Sequence, residues 1–198
     1  MNNKSLKELV DNNYTDKNTT HNYLGVYEDL LSPKRSTAKN ILEIGICHGG
    51  SVKLWYDYFD NVSVHAIDIE SVPLLVNQSR MVYSLIEIPD IFLYTSCDAY
   101  DDDFFNRIFL DKDVKYDFIL DDGPHTLESQ QKFITLYTKI LAEDGVMVIE
   151  DIQDYGHIDI LKNSVPEDLK QYVEVYDLRE TKNRYDDLLF VINKSGVG

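Results

Sequence analysis

Cysteine and basic residues are scarce in this chain, and each scarcity excludes something. Only Cys47 and Cys97 occur, which supports neither a disulfide framework nor a paired-cysteine zinc site, so a reducing, cytoplasmic setting is expected. Lys and Arg total 19 against 35 Asp and Glu, a formal charge of −16, and such a surface repels a phosphate backbone. Nucleic acid is therefore not an expected partner. No segment approaches the roughly 18–20 apolar residues of a membrane span, and the opening MNNKSLKELVDNN lacks a secretory apolar core, so neither a membrane partner nor a leader is expected. Repeats, low-complexity tracts and linkers are missing too. The 198 residues fit one domain large enough for a sizeable core.

What the chain does contain is a series of short apolar runs that end in acids or glycine. They are NILEIG at 40–45, VSVHAIDI at 62–69, IFLYTSCD at 91–98, YDFILDDG at 116–123 and GVMVIED at 145–151, each of strand length and rich in β-branched or aromatic residues. Helical spacing separates them: Leu54, Trp55, Tyr58 and Phe59 follow Ser51, and Leu127, Phe133, Ile134, Tyr137 and Leu141 fall within about 126–141. Alternation of this kind favours a parallel sheet covered on both faces, with ligands at the carboxyl ends of the strands. VEVYDL at 173–178 and LLFVIN at 188–193, joined by the polar RETKNRYDD, read as an antiparallel hairpin. The fold expected is α/β and Rossmann-like, a seven-stranded, mostly parallel sheet with an antiparallel C-terminal hairpin. Residues 1–38, with Leu24, Tyr27, Leu30 and Leu31 at helical spacing, are expected as a helical segment over the active site, and residues 39–198 as one compact catalytic domain.

The segment from Glu43 to Ser51, EIGICHGGS, places Cys47 where a dinucleotide fingerprint has its second glycine. A pyrophosphate would fit poorly there, which disfavours a nicotinamide-dependent oxidoreductase. The E-x-G-x-x-x-G spacing instead resembles the first motif of class I methyltransferases, whose turn accommodates the methionine part of S-adenosylmethionine. That resemblance makes Glu43, Gly45, Gly49 and Ser51 cofactor-binding residues. Asp68, 23 residues beyond Gly45 at the next strand end, is placed to accept from two ribose hydroxyls, and Asp98 to flank the adenine. The competing reading is that such acids cap helices.

Asp121-Asp122-Gly123-Pro124-His125 at one strand end and Glu150-Asp151 at the next form a sharper constellation. DDGPH followed by VIED resembles the metal-dependent sugar O-methyltransferases of macrolide biosynthesis, the mycinamicin and macrocin enzymes. More loosely it is similar to rhamnosyl O-methyltransferases and cephalosporin-hydroxylase-like proteins. The resemblance covers roughly residues 14–192 and implies that Asp122, Glu150 and Asp151 hold a divalent metal, Mg²⁺ or Mn²⁺, with His125 as general base and Asp121 on the cofactor side. DKNTTHNY at 16–23 and RYDD at 184–187 are further matches, which makes His21, Tyr23, Arg184 and Asp187 candidates for contact with the acceptor. Pro124 stands where the family has serine, and the chain has no room for the extra N-terminal domain of the macrolide enzymes. Acceptor and oligomeric state are therefore not carried over, and a homo-oligomer stays open.

Elementary electrostatics supports a cation at this edge. Carboxylates gathered at neighbouring strand ends repel one another, at a cost of a few kcal/mol when partly buried, unless a cation or raised pKa values relieve it. All-oxygen donors suit Mg²⁺, which keeps open positions for hydroxyls, better than zinc or copper. Helix capping and solvated charge are the bland alternatives for these acids, and a cap on the following helix is the one for His125, although an imidazole near pH 6.5 suits proton abstraction. His48 and His157 read as locally satisfied polar residues, and Cys47 and Cys97 as small packing groups. The function expected is S-adenosylmethionine- and Mg²⁺-dependent methylation of a sugar hydroxyl, on rhamnose or another deoxyhexose in a glycan or natural product. A catechol-type small-molecule O-methyltransferase and a non-catalytic S-adenosylmethionine-binding module are the alternatives.

Overall fold

The computed structural model describes residues 4–196. The chain divides after Ala99 into two compact units. The first holds helices α1 (Leu6–Leu9) and α2 (Leu24–Leu31), strand β1 (Asn40–Ile44), helix α3 (Gly50–Tyr58), strand β2 (Ser63–Asp68), helices α4 (Val72–Gln78) and α5 (Arg80–Ile86), and strand β3 (Ile91–Thr95). β2 lies between β1 and β3 and is parallel to both, with Ile44 opposite Ile67 and Asp68 opposite Thr95. Ile41, Leu42, Val64, Ala66 and Ile67 are fully buried, as expected of parallel strands covered on both faces. The helical spacing of residues 24–31 has its physical cause here, because Leu24, Tyr27, Leu30 and Leu31 form the buried stripe of α2.

The second unit holds α6 (Asp102–Ile108), β4 (Tyr116–Asp121), α7 (Leu127–Tyr137), β5 (Leu141–Ile149), α8 (His157–Ser164), β6 (Val173–Asp177), α9 (Arg179–Lys182) and β7 (Leu188–Asn193). β4 and β5 are parallel, whereas β7 runs antiparallel to both β5 and β6. Phe105, Phe109, Phe133 and Tyr137 form an aromatic cluster with ring centroids 5.0–6.4 Å apart, in the tilted and edge-on arrangements that such rings favour. The seven strands are ordered β3-β2-β1-β4-β5-β7-β6, which is the mostly parallel sheet with an antiparallel C-terminal hairpin expected from the sequence. Among the described residues no helix is long and apolar enough to cross a membrane.

The start of β5 differs from the expectation. The helical spacing over 126–141 counts Leu141 as helical, yet Leu141 opens β5. The register slips between Tyr116, opposite Leu141, and Phe118, opposite Val146. Residues 142–145 thus form an irregularity, with Glu143 and Asp144 exposed, that hid the strand's true start.

Candidate active site

Each unit carries one half of the candidate chemistry. In the first, the chain leaves β1 and turns into α3 through Gly45, Cys47 and Gly49, all at positive φ (97°, 45° and 79°), a region that favours glycine. The turn is held from outside. The Gly45 N–H donates to the Ile67 carbonyl at 2.9 Å, and Asp68 Oδ2 accepts from the N–H groups of Ile46 at 2.8 Å and Cys47 at 3.2 Å. Asp68 Oδ1 accepts from the Glu70 N–H at 2.8 Å. A carboxylate offers about four acceptor sites, so Asp68 anchors the turn and keeps room for about one further donor. The sequence pointed to Asp68 for a ribose; its anchoring role depends on a loop more than twenty residues upstream and had no local signal.

Beside this turn, Gly50 lies against the backbone of Tyr14: a Cβ there would stand 2.4 Å from the Tyr14 carbonyl. Glu43 is fully buried, and its Oε2 accepts the indole N–H of Trp55 at 3.0 Å, so the acid fastens α3 to β1. Ser51 is buried in the first turn of α3. Asp98 is exposed, three residues beyond the end of β3. The intervening Ser96 and Cys97 donate through their N–H groups to the carbonyls of Glu70 and Asp68, which ties the loop after β3 to the loop after β2.

In the second unit, β4 and β5 end side by side, and the Glu150 N–H donates to the Asp121 carbonyl at 3.0 Å. Just beyond these ends Asp122, His125 and Asp151 converge, with potential ligand atoms within 4.8 Å of one another. His125 Nε2 lies 3.9 Å from Asp122 Oδ1 and 3.7 Å from Asp151 Oδ2, and the three side chains are 30%, 26% and 13% exposed, in that order. Both distances exceed a direct hydrogen bond. His125 (φ 56°) and Asp151 (φ 54°) occupy the left-handed region, at a cost of order 1–3 kcal/mol each, which surrounding structure must supply.

The capping alternatives do not describe what is found. Thr126 caps α7, its Oγ1 accepting the Ser129 N–H at 3.2 Å, so His125 is the residue before the cap. Asp101 caps α6, and none of Asp68, Asp98, Asp121, Asp122, Glu150 and Asp151 occupies an N-cap position. Glu150 is not one of the three converging residues. It is buried, its backbone carbonyl accepts from Gln130 Nε2 at 3.3 Å, and its carboxylate is not among the atoms that meet; successive residues leaving a strand diverge.

Asp121 supports the turn from below. Its Oδ1 accepts from the Tyr100 hydroxyl at 2.5 Å and the Gly123 N–H at 3.3 Å, while Oδ2 has no hydrogen-bond partner among the described residues. Burial pushes the Asp121 carboxyl up to about 6, opposed by the Tyr100 hydrogen bond and the nearby His125. Burial and the Asp121 charge likewise push the Tyr100 phenol up. Gln153 braces the other side: its Nε2 donates to the Asp151 carbonyl at 2.9 Å and its Oε1 accepts from the Tyr185 hydroxyl at 2.9 Å. Sequence reasoning missed Tyr100, Gln153 and Tyr185, and of the supporting residues only Thr126, a hydroxyl directly before an apolar helical run, carried a readable signal.

The remaining candidates are mostly enclosed. His21 and Tyr23 are buried and stacked, with ring centroids 4.8 Å apart, and Asp187 is fully buried. Arg184 is partly exposed and grips Asp186 through Nε at 3.1 Å and Nη2 at 2.8 Å.

No family model matches the chain. It is similar to the 8-demethyl-8-α-L-rhamnosyl tetracenomycin-C 2′-O-methyltransferase of Streptomyces olivaceus, with 28% identity over 147 residues, 70% of this chain and 35% of the relative. In structure it is similar to MycE, a methyltransferase from the mycinamycin biosynthetic pathway solved in complex with Mg and SAH. The TM-score is 0.73 at 18% identity, over all of this chain and 57% of MycE. A MycE complex with Mg, SAH and mycinamycin VI gives 0.72 at 19% identity, over 96% of this chain and 53% of MycE. The chain thus spans about a third of the curated relative and just over half of MycE. Its fold is that of the class I methyltransferases.

Proposed function

We propose that the chain is an S-adenosylmethionine-dependent O-methyltransferase that uses a divalent cation and methylates a sugar hydroxyl. The observation that carries this reading is the convergence of Asp122, Asp151 and His125 within 4.8 Å just past two parallel strand ends of a methyltransferase fold. Two partly exposed carboxylates facing one imidazole fit a hard divalent ion, with Asp122 and Asp151 as oxygen donors. The turn at Gly45–Gly49 fits the methionine end of the cofactor, and the remaining acceptor site of Asp68 fits its ribose. The relatives support both groups, since MycE was crystallised with Mg and SAH.

When bound, S-adenosylmethionine supplies an activated methyl group, and the cation supplies positive charge that favours ionisation of an acceptor hydroxyl. The rest falls to the protein. Asp122 and Asp151 hold the cation, Asp68 and the glycine turn fix the methyl donor, and His125 Nε2 takes the hydroxyl proton. A base of this kind contributes typically about 10²–10⁴-fold, and positioning can supply about 7–11 kcal/mol, so the rigid anchoring by Asp68, Tyr100–Asp121 and Gln153 matters more than the base. Glu150 joins the ligand set only if its carboxylate turns towards the other two.

The sugar assignment rests on the rhamnosyl substrate named for the Streptomyces relative. It is tested by incubating the protein, Mg²⁺ and methyl-labelled S-adenosylmethionine with sugar glycosides, nucleotide sugars and catechols, and locating the methyl by NMR. Label on a sugar oxygen is expected. Label on catechols alone would replace the sugar reading, and cofactor binding with no transfer to any acceptor would favour a non-catalytic module.

A further inference from the structure

The second unit has an open cleft of about 670 Å³ lined by Asp177 at the end of β6 and by Arg179, Glu180, Asn183, Arg184 and Tyr185 of the β6–β7 connection. Neither Asp122, His125 nor Asp151 lines it. It is nonetheless coupled to them, because the Tyr185 hydroxyl, Gln153 and the Asp151 carbonyl are joined by two hydrogen bonds of 2.9 Å. The cavity volume falls within the roughly 300–1,000 Å³ usual for small-molecule pockets.

Its chemistry selects among ligands. Tyr185, the one aromatic residue of its wall, is 65% exposed, and its hydroxyl is fixed by Gln153. A held aromatic ring with polar groups around it suits the apolar face and hydroxylated edge of a sugar ring. A phosphate is poorly served, although two arginines are present. Arg179 is paired bidentately with Asp177 and Arg184 with Asp186, and Glu180 adds a further negative charge to the wall.

We propose that this cavity is a second sugar subsite, which seats on Tyr185 the unit next to the sugar that is methylated. It rests on the sugar reading above and sharpens it: the acceptor is a hydroxyl within a chain of at least two sugars, rather than a free or nucleotide-linked monosaccharide. The two-bond link through Gln153 sets the spacing between the units, since it fixes the stacking ring relative to Asp151. Tyr185 is then a specificity-determining residue.

The test is ligand-detected saturation-transfer NMR with methyl α-L-rhamnoside, a rhamnosyl disaccharide and a nucleotide-linked rhamnose, on wild type, Tyr185→Ala and Tyr185→Phe. Wild type should bind the disaccharide roughly tenfold more tightly than the monosaccharide, the effect of losing one good aromatic anchor, with saturation reaching both rings. Tyr185→Ala should reduce disaccharide affinity to the monosaccharide level, while Tyr185→Phe, which keeps the ring but loses the bond to Gln153, should fall between the two. Equal affinity for one and two rings in wild type, or a preference untouched in Tyr185→Ala, would overturn the subsite. So would tightest binding of the nucleotide-linked sugar with loss in Arg184→Ala. Labelled-methyl transfer in the same samples separates the two readings: a methylated monosaccharide without disaccharide preference removes only the subsite, and no transfer to any sugar removes the function with it.

Discussion

Replacing Asp68 with alanine should damage the protein twice, and the two losses can be measured apart. The carboxylate accepts three backbone N–H bonds, from Ile46 and Glu70 at 2.8 Å and Cys47 at 3.2 Å. Hydrogen bonds to a charged group contribute about 1.5–3 kcal/mol each. The contact to Cys47 is long, and the site is only partly buried, so a combined loss of about 2–4 kcal/mol is a reasonable magnitude for unfastening the turn. With a urea dependence of about 1–3 kcal/mol per molar, the unfolding midpoint should fall by roughly 1–2 M. Trp55, the single tryptophan, lies buried in α3 directly after the turn and reports the transition by fluorescence. Calorimetry with S-adenosylhomocysteine then reads the second loss, weakened binding. Asp68→Asn keeps one carbonyl acceptor and should fall between. A wild-type midpoint in Asp68→Ala with weakened binding would make Asp68 a ligand contact alone, and refute the anchoring role.

Other consequences follow from single residues. His65 stacks on Phe92 and Tyr94 at 4.8 and 5.9 Å, and burial lowers its pKa to about 4. The unfolded imidazole, near 6.5, takes up its proton first as pH falls, so wild type should lose about 2 kcal/mol relative to His65→Gln between pH 7 and 5; parallel urea stabilities across that range would contradict this. Thr126→Ala should cost about 1 kcal/mol of stability through the lost cap, whereas His125→Ala should lower methyl transfer about 10²-fold or more with little change in stability. The reverse pattern would make His125 the structural residue. Gly50→Ala drives a methyl into the Tyr14 backbone and should cost about 1–3 kcal/mol, so an unchanged unfolding midpoint would show that this contact is slack.

Strands were legible because they are short apolar runs, buried along nearly their whole length in β1, β4 and β7; β7 begins and ends where its apolar run does, at Leu188 and Asn193. The overruns have one common cause. IFLYTSCD reads as a strand to Asp98, yet β3 stops at Thr95 and Ser96 turns to φ 56°; GVMVIED reads to Asp151, yet β5 stops at Ile149 and Asp151 turns to φ 54°. Strand-end residues that leave the ladder are the ones free to aim side chains at a ligand, and a hydropathy pattern does not record φ. The acids themselves were visible as types in order, but not their partners. Pairing of Asp121 with Tyr100, or of Asp151 with Gln153 and Tyr185, depends on how distant segments pack, and Glu150 and Asp151 could not be told apart until their backbone directions were known.

The most direct measurement is the rate of labelled methyl transfer from S-adenosylmethionine to a rhamnoside, followed first in EDTA, then after excess Mg²⁺ is added. Wild type should be silent in chelator and recover with the ion, while folded Asp122→Asn remains nearly silent in both. Full transfer in EDTA, or an Asp122→Asn variant as active as wild type, would contradict a cation held by Asp122 and Asp151 at the centre of the chemistry.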